Sequence, residues 1–270
     1  MELFGGMVNL LGILAVASHL LLSRVLPFWV PVVRVRSVSG CACPTLRYPQ
    51  QGLTLPCATM LGHMSPERIR ELLAPFLGQE QLADTQIAQV ATYLDLLTKW
   101  NAKMNLTAVR DPEQMVQRHF GESFFAARQI FPDKGGRATV ADIGSGAGFP
   151  GVPIKLWAPA IELSLIEAQQ KKAAFLGEAI RTLGLEGIKV MRSRAEQIEI
   201  RFDVVTLRAV ESFETILPIA ARLVRPAGRL VLLIGAGQAT TASSLMRQIT
   251  WSAPISIPLS SGRVVLIGGV

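Results

Sequence analysis

Residues 64–270 of this 270-residue chain contain no cysteine, because Cys41, Cys43 and Cys57 all precede them. That stretch therefore has no disulfide, no thiolate nucleophile and no cysteine metal site. Histidine is nearly as scarce: only His119 follows residue 63, too few for a histidine-based cluster, so no metal is expected. Long apolar runs are also lacking. Val8–Leu22 is interrupted by Asn9, Ser18 and His19 and falls short of the roughly 20 residues a membrane span needs. No stable membrane association is expected, and the missing cysteines suit a reducing compartment, the cytoplasm. Charged residues reach only 17% against 50% hydrophobic, which describes a globular chain and excludes a disordered one.

The net charge is +7, but four arginines against one glutamate within residues 1–63 account for three of those charges. The remaining four permit an RNA partner without demonstrating one. Residues 1–63 also differ in pattern. Pro27, Pro31, Pro44, Pro49 and Pro56 break any periodicity, and no basic residue precedes the apolar stretch, as a signal peptide would require. The simplest reading is a poorly structured extension over 1–63, with a natural start at Met64 and a single methionine-led domain over 64–270.

Ser65-Pro66-Glu67 is a helix-start signal, a capping residue followed by proline at the first helical position. Ile87, Val90, Leu94, Leu97 and Trp100 then recur at helical spacing, and Asp111-Pro112 opens another helix running towards Phe131. A helical region thus fills 64–134. After Lys134-Gly135-Gly136, strands are expected near 138–143, 161–166, 187–192, 202–207 and 229–234. Helices fall near 152–158, 169–183 (capped by Gly184), 195–198 and 212–224. Runs such as Phe202-Asp-Val-Val-Thr-Leu207 read as strands buried on both faces of a parallel sheet. Such alternation predicts a Rossmann-like α/β core over 135–270, a mostly parallel twisted sheet. Ile255–Leu259 and Arg263–Ile267 read as a closing antiparallel hairpin.

The first strand runs into Val140-Ala-Asp-Ile-Gly-Ser-Gly-Ala-Gly-Phe-Pro-Gly151. Glycines at Gly144, Gly146 and Gly148 let the backbone turn sharply and admit a ligand close to the main chain. Gly146-Ala-Gly-Phe-Pro-Gly151 also matches the dinucleotide G-x-G-x-x-G pattern, which alone is weak evidence. Two features separate the possible cofactors. Asp142 would repel a pyrophosphate but suits a ligand bearing an ammonium and a sulfonium. Pro150 and Pro153 remove N–H donors that a diphosphate would use. Both favour S-adenosylmethionine over NAD. Glu167, closing the second strand, stands where an acidic residue accepts ribose hydroxyls. Ala195 and Glu196 follow the third strand, where an adenine edge would rest.

These residues resemble the RsmG/GidB family of 16S ribosomal RNA (guanine-N7) methyltransferases, over about residues 64–268. The resemblance is carried by Trp100-Asn101-Ala-Lys-Met-Asn105-Leu-Thr-Ala-Val-Arg110-Asp111, by Arg118-His119-Phe-Gly-Glu-Ser123, by Asp142–Gly151, by Ser193-Arg-Ala-Glu196 and by Leu207-Arg-Ala-Val210. It implies a class I methyltransferase fold, S-adenosylmethionine as donor, and cofactor contacts at Gly144, Phe149, Ala195, Glu196 and Arg208. It also implies a guanosine of the 530 loop as target, in 16S ribosomal RNA or the 30S particle, and a monomeric enzyme. Leu207 departs from the pattern, since a small residue more usually precedes the arginine.

Acceptor chemistry narrows the choice independently. Cytosine C5 methylation needs a thiolate, which residues 64–270 lack. Exocyclic amines usually call for an Asp/Asn-Pro-Pro-aromatic loop after the fourth strand, and Thr206-Leu-Arg-Ala-Val210 stands there instead. Guanine N7 carries a lone pair and no proton, so it needs no general base, and no acid–base catalyst is assigned. Arg208, Arg118 and His119 are the orienting candidates, with the Arg118-His119 pair on the RNA side. Lys171, Lys172, Lys189, Arg192, Arg194, Arg201 and Arg110 are further candidates to track an RNA backbone. The alternative is a methyltransferase acting on a small molecule or protein, against which the aromatic content of 6% weighs. An NAD oxidoreductase is disfavoured by Asp142.

Overall fold

The capping signal at Ser65 acts as expected: its hydroxyl accepts the Arg68 N–H, and α1 (Pro66–Leu77) follows. The computed structural model describes residues 63–208 and 212–270. Nearly all of the 1–63 segment, and Ala209 and Val210, lie outside the described residues. Helix α2 (Asp84–Met104) buries Ile87, Val90, Leu94 and Leu97 along one face, with Trp100 half-buried. Gln86 fixes its start, accepting the Ala83 N–H and donating to the Leu156 carbonyl.

Asp111 caps the next helix through the Gln114 N–H, at 2.8 Å. From there the chain stays helical to Ile130, but not uniformly. A π-helical segment, Val116–Gly121, separates α3 (Pro112–Met115) from α4 (Glu122–Ile130). The sequence pattern did not announce it. Such segments concentrate at functional sites, and this one carries Arg118 and His119. Its last residue, Gly121, lies so close to Phe76 that a Cβ would come within 2.5 Å of the ring.

The remainder alternates as the apolar runs predict: β1 (Thr139–Ile143), α5 (Gly151–Trp157), β2 (Glu162–Ile166), α6 (Gln170–Leu183), β3 (Ile188–Met191), a 3-10 turn at Ala195–Gln197, β4 (Phe202–Arg208), α7 (Phe213–Arg222) and β5 (Val224–Gly235). Gly184 caps α6 in the left-handed conformation, φ 62°. Three features differ from the sequence expectation. Helix α8 (Ala236–Leu245) and the two-residue β6 (Thr250–Trp251) were not foreseen. The hairpin keeps its antiparallel pairing, but its first arm shrinks to β7 (Ile255–Ser256) against β8 (Arg263–Gly269). Pro258 offers no ladder N–H and Leu259 turns to φ 54°, which ends the strand.

The sheet order is β3-β2-β1-β4-β5-β8-β6, with β7 also on β8. Strands β1 to β5 are parallel, and β8 is antiparallel to β5. Alternate strand residues feed two cores. Val140, Leu163 and Leu165 face the cluster shared with the helical region, and Ala141, Ile143 and Ile166 face the cluster shared with α7 and α8. The order reverses direction between β1 and β4, which opens a crevice at their carboxyl ends.

Candidate functional site

Pairing register brings the expected residues to one level. Ile143 is paired with Ile166 and Leu207, and Ile166 with Met191. Gly144, Glu167, Arg192 and Arg208 are therefore the next residues along four adjacent strands, all at the carboxyl edge.

The glycine loop turns there with φ of 67°, 55° and 81° at Gly144, Gly146 and Gly148. Gly148 is the tightest, since a Cβ would come within 2.2 Å of the Tyr93 hydroxyl. That hydroxyl donates to the Ala147 carbonyl at 2.6 Å, so α2 holds the loop from beneath. The first turn of α5 answers the cofactor question directly. Gly151 N–H donates to Asp142 Oδ2, Val152 N–H to the Gly148 carbonyl and Ile154 N–H to the Pro150 carbonyl, while Pro153 has no N–H. Every amide that a diphosphate would use at a helix start has an internal partner or is a proline nitrogen.

Glu167 Oε2 accepts the Gly146 N–H at 2.9 Å and Oε1 accepts the Gln169 N–H at 2.7 Å. The carboxylate spans the gap between the β2 end and the loop. It would repel a pyrophosphate placed there, and its remaining lone pairs suit hydroxyl donors. These residues fit a nucleoside and leave no free amide at the helix start for a diphosphate.

Asp142 was expected to meet a cationic ligand face on. Instead it is 1% exposed, with Oδ1 accepting from Thr206 at 2.9 Å and Oδ2 from Gly151 at 3.1 Å. Its direct task is to anchor α5 and β4 under the loop. Burial pushes its pKa up to about 6, against the pull of donors from Thr206, Gly151 and Ser145.

Phe149 is packed between two rings: Tyr93 stacks on it at 5.5 Å and His119 at 5.1 Å. Its side chain is therefore buried, and the stack ties the loop to the π segment. His119 Nε2 bonds Thr107 Oγ1 at 2.7 Å. Thr107 is in turn placed by Asn101, whose buried amide holds the Thr107 N–H and the Val109 carbonyl. Burial, then the charges of Arg208 and Arg118, lower the His119 pKa to about 3. The ring is neutral at physiological pH.

Arg208 makes contacts that the sequence left open. Its Nη2 donates to Glu122 Oε2 at 3.0 Å and to the Arg118 carbonyl, and its Nη1 to Ser123 Oγ at 3.3 Å and the His119 carbonyl at 3.4 Å. Burial lowers its pKa while Glu122 opposes that shift. Glu122 also accepts from Arg263 Nε at 2.8 Å, on β8. Glu122, Arg263 and Tyr93 were missed as site residues. The available signal was an acidic residue inside the mostly apolar run Phe120–Ala127.

Ala195 is buried in the 3-10 turn beyond β3, and Glu196 is exposed, its carbonyl held by Arg222. The basic candidates divide. Arg118, Lys171, Arg192 and Arg194 are exposed near the carboxyl edge. Arg110 is engaged by the Asn101 carbonyl and Asn105. Lys189 and Arg201 border a groove at the opposite, amino-terminal edge. Among the described residues no cluster of acidic, histidine or cysteine side chains is placed to hold a metal, and no helix is long and apolar enough to cross a membrane.

Sheet order, antiparallel β8 and the glycine loop with its saturated helix start define a Rossmann-like class I methyltransferase. The family model described as rRNA small subunit methyltransferase G matches residues 86–261. The chain belongs to that family, and S-adenosylmethionine is its methyl donor. A Ribosomal RNA small subunit methyltransferase G from Stenotrophomonas maltophilia (strain K279a) is 34% identical over 215 residues, 77% of this chain and 98% of that protein. Its counterpart from Xanthomonas campestris pv. campestris (strain B100) is 37% identical over 172 residues, 63% of this chain and 79% of that one. Among solved structures, a ribosomal protein L11 methylase from Lactobacillus delbrueckii subsp. bulgaricus aligns with a TM-score of 0.47 at 13% identity, over 57% of this chain and 78% of that one.

Proposed function

We propose that this small-subunit rRNA methyltransferase acts on N7 of a guanosine in 16S ribosomal RNA, in the 530 loop. The observation that carries the choice of N7 is that the groups able to take a proton on the acceptor side are already engaged, Glu122 being held by Arg208 and Arg263. His119, the one histidine there, is neutral and held by Thr107, with its pKa near 3. Asp142 is sealed beneath the loop. An acceptor that must first lose a proton would have to break one of these contacts, whereas N7 presents a lone pair directly.

S-adenosylmethionine supplies an electrophilic methyl on a sulfonium centre. The chain's own work is then to hold donor and acceptor in line. Gly144 and Gly146 allow close approach to the main chain, Glu167 accepts ribose hydroxyls, and the Ala195–Glu196 turn meets the adenine edge. Phe149 fixes the loop by its stack on His119 and Tyr93. Arg208 orients the acceptor side by fixing the π segment that presents Arg118. N7 within an A-form helix faces a groove too narrow for side chains, so the target base is in a loop or turned out of its stack. The substrate is 16S RNA or the 30S particle, met by a cytoplasmic monomer through Arg118, Lys171, Arg192 and Arg194.

Primer-extension mapping of N7-methylguanosine in ribosomal RNA from a strain lacking this gene tests the assignment. One mark in the 530 loop should vanish and return on complementation. Unchanged N7 marks would refute it.

A further inference from the structure

The carboxyl edge of the sheet has two halves. Glycine loop, Glu167 and the 3-10 turn occupy the ends of β1, β2 and β3. Across the switch point, over β4, β5 and the start of β8, lies a cavity of about 200 Å³. Its walls include Phe213, Leu233 and Ile257 on the apolar side and Arg118, Glu122 and Arg263 on the polar side. That volume is below the ~300–1,000 Å³ of clefts that hold whole drug-sized ligands, and it suits a single base.

The two arginines on Glu122 are not equivalent. Arg208 is 12% exposed and makes four bonds, all of them to the helical run Arg118–Ser123. Its donors are committed to protein. Arg263 is 32% exposed and approaches Glu122 Oε1 through Nε at 2.8 Å and Nη2 at 2.7 Å. Among the described residues its Nη1 has no partner. Pairing of Arg263 with Gly235 fixes its backbone at the carboxyl end of β5, so the guanidinium stands on a rigid strand with N–H groups to spare in the cavity wall.

We propose that this cavity receives the acceptor purine and that Arg263 is its specificity-determining residue, donating to the O6 carbonyl. The inference rests on the functional reading above. A guanidinium has donors only. It therefore pairs with the carbonyl of a 6-oxopurine and meets the amino group of adenine donor to donor. Glu122 is the positioning residue: it holds Arg263 at one oxygen while Arg208 secures the other.

The test compares small subunits carrying guanosine, inosine or 2-aminopurine at the target position, with kcat/KM for each and donor affinity by calorimetry. Inosine keeps O6 and lacks the 2-amino group, and 2-aminopurine lacks O6. The wild-type protein should accept inosine nearly as well as guanosine and 2-aminopurine about 10- to 100-fold less well. Arg263→Ala should bring the guanosine to 2-aminopurine ratio close to unity with donor affinity unchanged. Arg263→Lys, which keeps a donor, should restore much of the preference and guards against a folding defect. An intact preference in Arg263→Ala would overturn the assignment, as would a parallel loss of donor affinity, which would place the donor's methionine end in the cavity. A wild-type protein inactive on guanosine would instead remove the functional reading, and this inference with it.

Discussion

Glu122 and Arg208 meet at 3.0 Å across 86 positions of sequence, the carboxylate 2% exposed and the guanidinium 12%. Their contact joins the helical region to the end of β4 at the crevice. Such a pair does not add much stability over an apolar replacement, but removing one partner strands the other charge. Here it would strand two, since Arg263 shares Glu122. Glu122→Ala should lower unfolding free energy by about 3–5 kcal/mol in urea titration. A change below about 1 kcal/mol would mean that the arginines find water or other partners.

Gly148 adopts φ 81° and faces the Tyr93 hydroxyl. Gly148→Ala combines backbone strain of about 1–3 kcal/mol with a contact that no ring rotation relieves. Donor binding should fall at least tenfold by calorimetry. Tyr93→Phe removes the opposing oxygen, so Gly148→Ala should be less damaging in that background. Equal damage in both backgrounds would show that the hydroxyl contact is not what excludes a side chain.

Asp142 has a folded pKa of about 6 against an ordinary 3.8. The native state therefore binds this proton more tightly than the unfolded chain. Stability should fall as pH rises from about 4 to about 6, and stay lower above that, by roughly 3 kcal/mol. Asp142→Asn keeps an acceptor for Gly151 and can donate to Thr206, whose hydroxyl then serves the Ala141 carbonyl. The variant should lose this pH dependence, measured as the difference between wild-type and variant unfolding curves. Parallel pH profiles would contradict the burial.

His119, with its pKa lowered to about 3 from 6.5, is neutral throughout the working range. Its contribution to stability is complete above about pH 6.5 and is lost as pH falls towards 3. The kcat/KM profile should show no ionisation near 6.5 that belongs to this ring. His119→Gln should reduce the rate through the Phe149 stack while leaving the shape of the profile unchanged. A limb near 6.5 that disappears in the variant would make His119 an acid–base group after all.

Much of this was legible because the signals were local. β1 and β4 read as strands from short, mostly apolar runs, α1 from the Ser65-Pro66 start and α6 from its Gly184 stop. Helix α8 was not, because Gly237, Thr240, Thr241, Ser243 and Ser244 carry no apolar period. Small residues Ala239 and Ala242 seat it on the sheet instead. The pairing of Glu122 with Arg263 spans 141 positions, so no local pattern exposes it. Asp142 illustrates a subtler miss. Its position at the strand end was readable, but which way its carboxylate turned depended on Thr206, on a strand that is a neighbour only in the folded sheet.

The most direct measurement is methyl transfer itself. Purified protein, labelled S-adenosylmethionine and small subunits from a strain lacking the gene are incubated together, and the 530-loop fragment is analysed by mass spectrometry. One methyl on N7 of one guanosine is predicted. Label on an exocyclic amine, on a sugar hydroxyl or outside that fragment would contradict the account.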